Sequence, residues 1–408
     1  MGKDCFKDVA AKNEDEMLTR REGELHNRES DIRSPFMRDY TRILHSLAYR
    51  RLKHKTQVFF NIGNDHICTR MEHVAHVDSI SSTIAKYLGL NDELTKAISI
   101  GHDIGHAPFG HHGENIIKEL TETYLGYKFW HEKNGLRFVD EIELLENDYR
   151  VYKNLNLTYA VRDGIISHCG EIDENGLKPR QEIMDLKQFN NVGEYQPITW
   201  EGCIVKISDK IAYIGRDIED ALCLGFLDEE VQNQLSIMAR VHDEKAFNNT
   251  VIIQNLILDI CKSSSPEDGI CLSDNYFEQI NEIKRFNYRH IYNHPRLRAF
   301  KDYAEMIIRN IFDVLLEAYD SNHTLTKLEE LRGLSETLVT SFSKWLARYC
   351  NKEIVPKGDL KNLSLRCENA KIYGSLETKA IYIQAILDYI AGMTDRFAIS
   401  IFNEFLIY

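Results

Sequence analysis

The sequence predicts a mainly α-helical protein, and three observations favour that class. Apolar residues recur at the three- and four-residue spacing of amphipathic helices in one segment after another. Only 7 prolines and 22 glycines occur among 408 residues, which leaves room for long helices. Strand-like residues concentrate in one segment, where the apolar run 58–60 precedes turn-forming residues at 63–65. We therefore expect a helical fold with one small β-hairpin between Gln57 and Cys68.

The predicted helices follow one another along the chain. Residues 1–30 are polar and charge-dense, and we expect a loosely ordered arm there. Ser34-Pro35 starts a helical stretch over 36–55. The helix after Arg70 ends at Gly89, and Asn91 or Asp92 caps the next helix, which carries the pair His102-Asp103. Later segments are predicted to be helices over 134–147, 159–168, 201–222 and 299–319, a connector over 268–275, and a mostly helical C-terminal subdomain over 325–408.

Composition limits the class of protein. A chain of 408 residues can form one large domain or two smaller ones. The net charge of -13 disfavours nucleic acid as the main partner. Nine scattered cysteines without a CxxC pair disfavour a disulfide framework or a zinc knuckle. The charged N-terminus resembles no signal peptide, and no run approaches the ~20 apolar residues of a membrane helix. We expect a cytoplasmic protein with no membrane partner.

Half of the sixteen histidines lie between His66 and His131. Chance explains such a cluster poorly, because acidic residues lie close to the histidines along the chain: Asp103 directly follows His102, and Glu114 lies three residues after His111. His102-Asp103 lies near a helix end, and His73 on the preceding helix can reach the same point if the two helices pack antiparallel. Asp209 on a later helix can supply a second carboxylate. Two imidazoles with two carboxylates suit Mn²⁺, Fe²⁺, Co²⁺, Ni²⁺ or Mg²⁺ better than structural zinc.

Several further segments carry a family resemblance. They are Ser34-Pro35-Phe36 with Arg38-Asp39, Arg42-Ile43-Leu44-His45-Ser46, Arg50-Arg51-Leu52 through Gln57-Val58-Phe59, Thr69-Arg70 before His73, the run from His102 to Glu114, and Asp209-Lys210-Ile211-Ala212-Tyr213 with Asp217 and Glu219-Asp220-Ala221. Together they resemble the HD-domain phosphohydrolases, specifically the deoxynucleoside triphosphate triphosphohydrolase (dGTPase-like) family. The resemblance covers residues 30–225 clearly and 284–294 faintly. The segment from His131 to Arg137 departs from the family's His-Asn-x-Gln pattern, which puts base preference in doubt.

The resemblance implies an HD-domain helical fold and a set of metal ligands. His73, His102, Asp103 and Asp209 would hold one divalent ion, or the first of two. Four further residues would be catalytic: His106, His111, Glu114 and His131. Glu114 lies three residues after His111, so its carboxylate can orient that imidazole and favour the protonated form. The protonated imidazole would give a proton to the departing 5′-oxygen, although the roles of the three histidines can be permuted.

The resemblance also implies a nucleotide pocket. Arg70 and Lys210 match phosphate-contacting positions. Gln57 and Asp217 would bind the sugar 3′-hydroxyl, with Tyr213 packed on the ribose. Tyr292 would close the 2′ side, and the neighbouring Lys284 belongs to the same faint match. His168 matches a family histidine to which we assign no role.

The expected activity is metal-dependent hydrolysis of dNTPs, dGTP among them, to a deoxynucleoside and inorganic triphosphate. Two alternatives remain: another HD phosphohydrolase, such as a 5′-nucleotidase or signalling-nucleotide hydrolase, or a nucleotide-sensing binding module. We divide the chain into the arm 1–30, an HD core 31–225, and a helical region 226–408 that completes the nucleotide pocket and makes oligomer contacts. A homo-oligomer and an activating nucleotide are expected. Base preference, oligomer size, the physiological metal and the biological role, pool control or phage defence, stay open.

Overall fold

The computed structural model describes residues 3–24, 31–60, 64–169, 174–238 and 249–407. Two compact units emerge from its internal contacts. Unit 1 comprises Met1–Leu44, Gln57–Asp103 and Asn156–Arg298. Unit 2 comprises His45–Thr56, Ile104–Leu155 and Ala299–Tyr408. Within the described ranges, no helix has both the length and the apolar character needed to cross a bilayer.

The described residues form eighteen α-helices, which confirms the predicted class. In chain order the helices are α1 (Glu16–Thr19), α2 (Pro35–His45), α3 (Leu47–Arg51), α4 (Arg70–Leu88), α5 (Asp92–Gly101), α6 (Gly110–Leu125), α7 (His131–Arg137), α8 (Tyr159–Ser167), α9 (Trp200–Cys223), α10 (Glu229–Met238), α11 (Asn249–Ser263), α12 (Asp274–Asn287), α13 (Arg298–Glu317), α14 (Thr324–Glu330), α15 (Glu336–Tyr349), α16 (Asp359–Arg366), α17 (Lys379–Ala391) and α18 (Asp395–Glu404). The last five helices form the predicted helical C-terminal segment. Short 3₁₀ turns lie at Leu52–His54, Leu186–Gln188, Pro295–Leu297, Ser321–His323 and Leu331–Gly333, and π-helical turns lie at Phe138–Ile142 and Tyr288–Tyr292.

The β-hairpin exists, but the predicted location is wrong. Strands β1 (Leu144–Glu146) and β2 (Tyr152–Asn154) pair antiparallel. Residues 57–60 and 64–68 contain no strand, and 61–63 lie outside the described residues. The apolar run there is core: Phe59 is buried and packs edge-on against Phe226, with ring centroids 4.8 Å apart.

Two helix predictions are also corrected. The stretch 36–55 is broken at Ser46, whose side chain accepts a hydrogen bond from the Tyr49 N–H and so begins α3. The segment 134–147 does not stay helical, because after α7 and its π-helical turn the chain continues into β1. The predicted helices near 159–168, 201–222 and 299–319 are confirmed as α8, α9 and α13.

The end of α4 and the start of α5, the helices next to the first predicted metal ligands, lie where the sequence predicts them. Helix α4 ends where Gly89 adopts a left-handed φ of 84°. Asn91, rather than Asp92, caps α5, because its side chain accepts the N–H groups of Glu93 and Leu94. Both predicted caps are therefore confirmed, and of Asn91 and Asp92 it is Asn91 that caps α5.

Within the arm expected for 1–30, Phe6 and Ala11 are buried, whereas most other residues of 3–24 are exposed or half-buried. Phe6 is fully buried and lies edge-on to Trp200, with ring centroids 4.9 Å apart. The Ala11 N–H donates a 3.0 Å hydrogen bond to the buried carboxylate of Glu201. Residues 25–30 lie outside the described part of the chain.

Unit 1 is built around α4, α5, α8 and α9, which pack against one another. Two glycines allow α5 and α8 to approach closely. A Cβ on Gly101 would lie 2.9 Å from the Ile165 side chain, and a Cβ on Gly164 would lie 2.6 Å from that of Ile98. A side chain at either position would require the facing isoleucine, or the helix that carries it, to move. In unit 2, α6 packs against α17, and α15 packs against α16 and α17.

Candidate active site

The four predicted metal ligands meet within unit 1. Helix α4 carries His73, the turn that follows α5 carries His102 and Asp103, and α9 carries Asp209. Nε2 of His73 lies 2.9 Å from Oδ1 of Asp209. Nε2 of His102 lies 3.8 Å from that same oxygen and 3.6 Å from Oδ1 of Asp103. Ligand atoms of His73, His102 and Asp209 thus lie within 4.8 Å of one another, and Asp103 lies beside His102.

The chemistry of His102 fits a divalent cation among these ligand atoms. Its Nδ1 lies 2.6 Å from the carbonyl oxygen of Ser99, and this contact assigns the ring proton to Nδ1. The other ring nitrogen, Nε2, is therefore left with a lone pair. It is buried and has no hydrogen-bond partner among the described residues. A buried acceptor without a partner is destabilising unless something coordinates it, and a metal ion does so.

Asp209 is ionised in this setting. Burial would raise the pKa of Asp209, but the hydrogen bond with His73 and the neighbouring histidine charges lower that pKa to about 2. For His73, burial lowers the pKa, and the contacts with Asp209 and Asp103 outweigh burial and raise it. The carboxylate is thus in the form that binds cations.

Arg70 belongs to the same cluster. Its Nη1 donates a 2.8 Å hydrogen bond to Oδ2 of Asp103, and the side chain is 1% exposed. In the parts of the chain that the structure describes, Nε and Nη2 of Arg70 are buried without a hydrogen-bond partner. Arg70 therefore binds Asp103, a candidate metal ligand, through one nitrogen. Its other two side-chain nitrogens can donate hydrogen bonds to an anion.

A cationic cavity lies along one face of α12. Lys210, the neighbour of Asp209, donates a 3.2 Å hydrogen bond to the Asn281 side chain. Asn281 opens onto a cavity of about 600 Å³. The cavity is lined by Asn281, Lys284, Arg285, Tyr288, Arg289 and Asn293. Lys210 and Lys284 were predicted from the sequence, whereas Arg285 and Arg289 were not, although their four-residue spacing is that of neighbours on one helical face.

The predicted sugar-binding residues also lie in unit 1. The Tyr292 hydroxyl donates a 2.6 Å hydrogen bond to Oδ2 of Asp217. Burial, followed by the charges of Asp217 and Tyr213, raises the pKa of Tyr292 well above its usual value, so the phenol stays protonated. Gln57 is buried, and its side-chain oxygen has no hydrogen-bond partner in the described ranges. The structure thus pairs Tyr292 with Asp217 directly.

The predicted catalytic residues form a second cluster, in unit 2. The backbone N–H of His131 donates a 2.9 Å hydrogen bond to Glu114, and Nδ1 of His131 lies 3.1 Å from Oε2 of Glu114. His111 and His106 approach the same oxygen at 3.6 and 3.9 Å. The rings of His106 and His131 stack, with centroids 3.7 Å apart. One carboxylate therefore faces three imidazoles.

The hydrogen bonds of Glu114 go to His131, whereas the sequence spacing had paired Glu114 with His111. The side chain of His111 is 64% exposed and lies beyond hydrogen-bond distance. Burial would raise the pKa of Glu114, but the charge of His131 and contacts with His111 and His106 lower it well below the usual value. Glu114 is therefore an anion that stabilises positive charge on its neighbours.

Comparison with known proteins agrees with this geometry. The family model for the HD domain matches residues 70–214, and that for the phosphohydrolase-associated domain matches 270–330 and 375–404. The chain is 32% identical to a deoxyguanosinetriphosphate triphosphohydrolase-like protein of Caldanaerobacter subterraneus subsp. tengcongensis, over 92% of this chain and 85% of that protein. Proteins of the same name from Desulfatibacillum aliphaticivorans and Clostridium tetani are 32% and 33% identical, over 91% and 82% of this chain and 88% and 89% of theirs. The chain belongs to the HD-domain, dGTPase-like family.

Membership of this family makes the chain a phosphohydrolase. HD domains of this class are metal-dependent, and the matched range 70–214 contains His73, His102, Asp103 and Asp209. Three of them, His73, His102 and Asp209, have ligand atoms within 4.8 Å of one another and could hold a metal ion; His102 and Asp103 belong to a second such group.

Proposed function

We propose that this HD-domain phosphohydrolase cleaves dNTPs, dGTP among them, into a deoxynucleoside and inorganic triphosphate. One observation supports the proposal above all others: in unit 1, ligand atoms of His73, His102 and Asp209 lie within 4.8 Å of one another, and the neighbouring Asp103 binds an arginine with two unused donors. The names of the relatives point to the same reaction.

His73, His102, Asp103 and Asp209 would hold the divalent ion. Two imidazole nitrogens and two carboxylates suit Mn²⁺, Mg²⁺, Fe²⁺, Co²⁺ or Ni²⁺. When bound there, the ion would supply Lewis-acid polarisation of a phosphate oxygen and would lower the pKa of a bound water. The protein's own contribution is to fix the donors, with His102 oriented by Ser99 and Asp103 by Arg70.

The polyphosphate would be bound by cations of unit 1. Arg70 offers Nε and Nη2, which are buried and lack partners among the described residues. Lys210 and the cavity residues Lys284 and Arg285 add positive charge. Burial strengthens the contacts of Arg70 and Lys210, because water screens them less than contacts at the surface.

The sugar would be recognised by the pair Asp217 and Tyr292. A carboxylate can accept a hydrogen bond from a 3′-hydroxyl, and Gln57 would assist it, while Tyr213 packs on the ribose. The Tyr292 side chain would close the 2′ side, where the extra hydroxyl of a ribonucleotide needs room. The 2.6 Å hydrogen bond to Asp217 fixes the phenol in one orientation.

Proton delivery is assigned to the histidines around Glu114, on the strength of the sequence resemblance. Water adds its oxygen to the α-phosphorus, the bond from phosphorus to the 5′-oxygen breaks, and the 5′-oxygen takes a proton. The Glu114 carboxylate faces His131, His111 and His106 and favours a protonated imidazole among them. His131 has the closest contact and His111 the greatest exposure.

Product analysis tests the proposal. Purified protein is incubated with Mn²⁺ or Mg²⁺ and each dNTP, singly and mixed, and the products are identified by mass spectrometry. We expect deoxynucleoside and intact triphosphate in equal amounts, and no product in EDTA or with Asp103→Asn. Asp31→Asn is the matched control and should retain full turnover, because Asp31 is a carboxylate paired with Arg33 and Arg38 and is not among the proposed site residues.

Other outcomes identify the alternatives. Monophosphate with pyrophosphate, or phosphate released from a monophosphate, would point to another kind of HD phosphohydrolase. Metal and nucleotide binding without turnover would point to a nucleotide-sensing module. Faster turnover in the mixture than in any single dNTP would reveal an activating nucleotide, and light scattering of the same samples would give the size of the expected homo-oligomer.

A further inference from the structure

The segment Ile104–Phe109, called here the His106 loop, precedes α6 in unit 2 and carries one of the three histidines around Glu114. Its last residue, Phe109, is buried and has a φ of 63°, a left-handed conformation that residues other than glycine rarely adopt. Such a conformation persists only where its surroundings hold it. The contacts that hold the His106 loop therefore determine where His106 lies.

A buried carboxylate holds the end of the His106 loop. Asp395, the first residue of α18, is 3% exposed. Its Oδ1 accepts a 2.8 Å hydrogen bond from the Phe109 N–H, and its Oδ2 accepts a 2.9 Å hydrogen bond from the Thr56 N–H. Both oxygens thus accept from backbone groups, so Asp395 ties the left-handed residue to a second segment of unit 2.

Two further side chains hold the start of the loop. The buried Lys55 ammonium donates hydrogen bonds to the carbonyl oxygens of His106 and of the last residue of α17. The Asn134 amide on α7 donates a 2.7 Å hydrogen bond to the Gly105 carbonyl oxygen. A Cβ on Gly105 would lie 2.0 Å from the His131 carbonyl oxygen, so the loop lies directly against the helix that carries His131.

The geometry of the histidine cluster depends on this support. The ring of His106 stacks on that of His131 with centroids 3.7 Å apart, and its Nδ1 lies 3.9 Å from Oε2 of Glu114. Phe109 immediately precedes α6, which carries Glu114 and His111. A misplacement of about 1 Å in an active site can lower a rate by roughly 10²-fold. A shift of the loop would therefore reduce catalysis without removing any catalytic group.

We propose that Asp395 is a positioning residue for proton delivery. Through the Phe109 N–H it holds the His106 loop and the start of α6 in the arrangement that brings the histidines to Glu114, and Lys55 acts on the same loop. The carboxylate acts through backbone hydrogen bonds and transfers no proton itself. The inference rests on the proposed function, because it requires that the histidine cluster protonates the departing 5′-oxygen.

Two substrates separate positioning from general structural damage. The leaving group of dGTP is an alkoxide, which needs a proton. In the analogue with sulfur in place of the bridging 5′-oxygen, the leaving group is a thiolate, a much weaker base that departs without one. Water adds its oxygen to the α-phosphorus, the phosphorus–sulfur bond breaks, and the products are the 5′-thionucleoside and triphosphate.

Asp395→Asn offers one acceptor oxygen to two N–H groups. We expect its kcat for dGTP to fall roughly 10–100-fold, and its kcat for the thio analogue to stay near that of wild type. Lys55→Met, which removes the donor to the His106 carbonyl, should show the same selective loss. Asp359→Asn is the matched control, because Asp359 also begins a helix of unit 2, α16, but is exposed. It should leave both rates unchanged.

Histidine NMR gives a second readout that needs no turnover. In protein labelled with ¹³C at histidine Cε1, the signal of His106 is the one that is lost in His106→Gln. It should move in Asp395→Asn, because its stacking on the His131 ring changes, and stay in place in Asp359→Asn. An unmoved His106 signal in Asp395→Asn overturns the inference.

The kinetic outcomes are equally distinct. Circular dichroism identifies the folded variants, and Lys55→Met decides if Asp395→Asn does not fold. A selective loss on dGTP supports the inference, whereas an equal loss on both substrates, or no loss on either, overturns it. Wild-type protein that releases no triphosphate from dGTP would overturn the proposed function itself, which the variants of an active protein do not test.

Discussion

Nη1 of Arg70 donates a 2.8 Å hydrogen bond to Oδ2 of Asp103, and both side chains are almost completely buried. The contact leaves Oδ1 of Asp103 facing His102, 3.6 Å away. A buried arginine is stable only where its charge is balanced, and Asp103 balances it. Arg70 therefore orients a candidate metal ligand while keeping two donors for a phosphate.

Replacing Arg70 by lysine should weaken both the orientation of Asp103 and the binding of phosphate. Lysine keeps the positive charge but lacks the planar fork that contacts two acceptors at once. The loss of one charge-assisted hydrogen bond is worth about 1.5–3 kcal/mol, so kcat/KM for dGTP should fall roughly 10–100-fold. Steady-state kinetics of Arg70→Lys provide the measurement.

Arg309→Lys is the control for that substitution. Arg309 also contacts two carboxylates, Glu305 and Glu119, but on the surface, where an ion pair contributes little. Its kinetics should match those of wild type. If Arg70→Lys were equally silent, Arg70 would be a structural partner of Asp103 only.

The sequence predicted the local structure around the site because local interactions determine it. Gly89 and Asn91 end one helix and start the next through their own backbone and side-chain chemistry. The break at Ser46 was missed because the apolar spacing continues across it, although a serine is itself a capping residue. The apolar run 58–60 predicts a strand because a buried strand and a buried loop share apolar composition, and in the structure Phe59 packs on Phe226 without forming a strand.

The resemblance predicted which residues form the site, but it did not predict which of them contact one another. Residues 136 positions apart, His73 and Asp209, become neighbours only through the packing of α4 on α9. Spacing favoured His111 as the partner of Glu114, because the two lie three residues apart on one helix. The fold gave His131 the shorter contact, at 3.1 Å against 3.6 Å. His168 had no assigned role, and the structure places its ring beside that of His102, with centroids 4.9 Å apart.

Glu114→Gln should reduce turnover without removing the metal. The amide oxygen can still accept the His131 N–H, but the negative charge that favours a protonated imidazole is lost. General acid catalysis contributes roughly 10²–10⁴-fold, so kcat should fall within that range. Metal content, measured by mass spectrometry, should equal that of wild type, because Glu114 is not among the four proposed ligands.

Glu119→Gln is the matched control, since Glu119 lies on the same helix and is 62% exposed. It should leave kcat unchanged. An unaltered rate in Glu114→Gln would remove this carboxylate from the mechanism, and a parallel loss of metal would reassign it to the metal centre.

Tyr292 should govern discrimination between deoxyribose and ribose. Tyr292→Ala opens the space that the ring fills, so the ratio of kcat/KM for dGTP over GTP should fall roughly 10–100-fold. Tyr292→Phe keeps the ring and loses only the hydroxyl that donates to Asp217, so this ratio should stay near the wild-type value. An alanine variant that still rejects GTP as strongly as wild type would place the discrimination elsewhere.

Asp220 should make the stability of the protein depend on pH near neutrality. It is 3% exposed and accepts a 3.0 Å hydrogen bond from the Cys68 N–H. Burial raises its pKa from 3.8 to about 7, and the charges of Asp217 and Glu219 add to this while Arg216 opposes it. Between about pH 4 and pH 7 the unfolded chain therefore has an ionised Asp220, whereas the folded protein keeps it protonated.

The sign of the effect follows from that difference. Raising the pH through this window stabilises the ionised unfolded chain, so stability falls by at most about 1.4 kcal/mol per pH unit from this group, and the fall ends above pH 7. Asp220→Asn keeps an oxygen for the Cys68 N–H but does not titrate. Urea unfolding midpoints are measured at pH 5, 6, 7 and 8. The midpoint of the variant minus that of wild type should increase from pH 5 to pH 7 and then stay constant to pH 8. Parallel curves over the whole range would mean that Asp220 is already ionised in the folded protein at pH 5, and the raised pKa would be wrong.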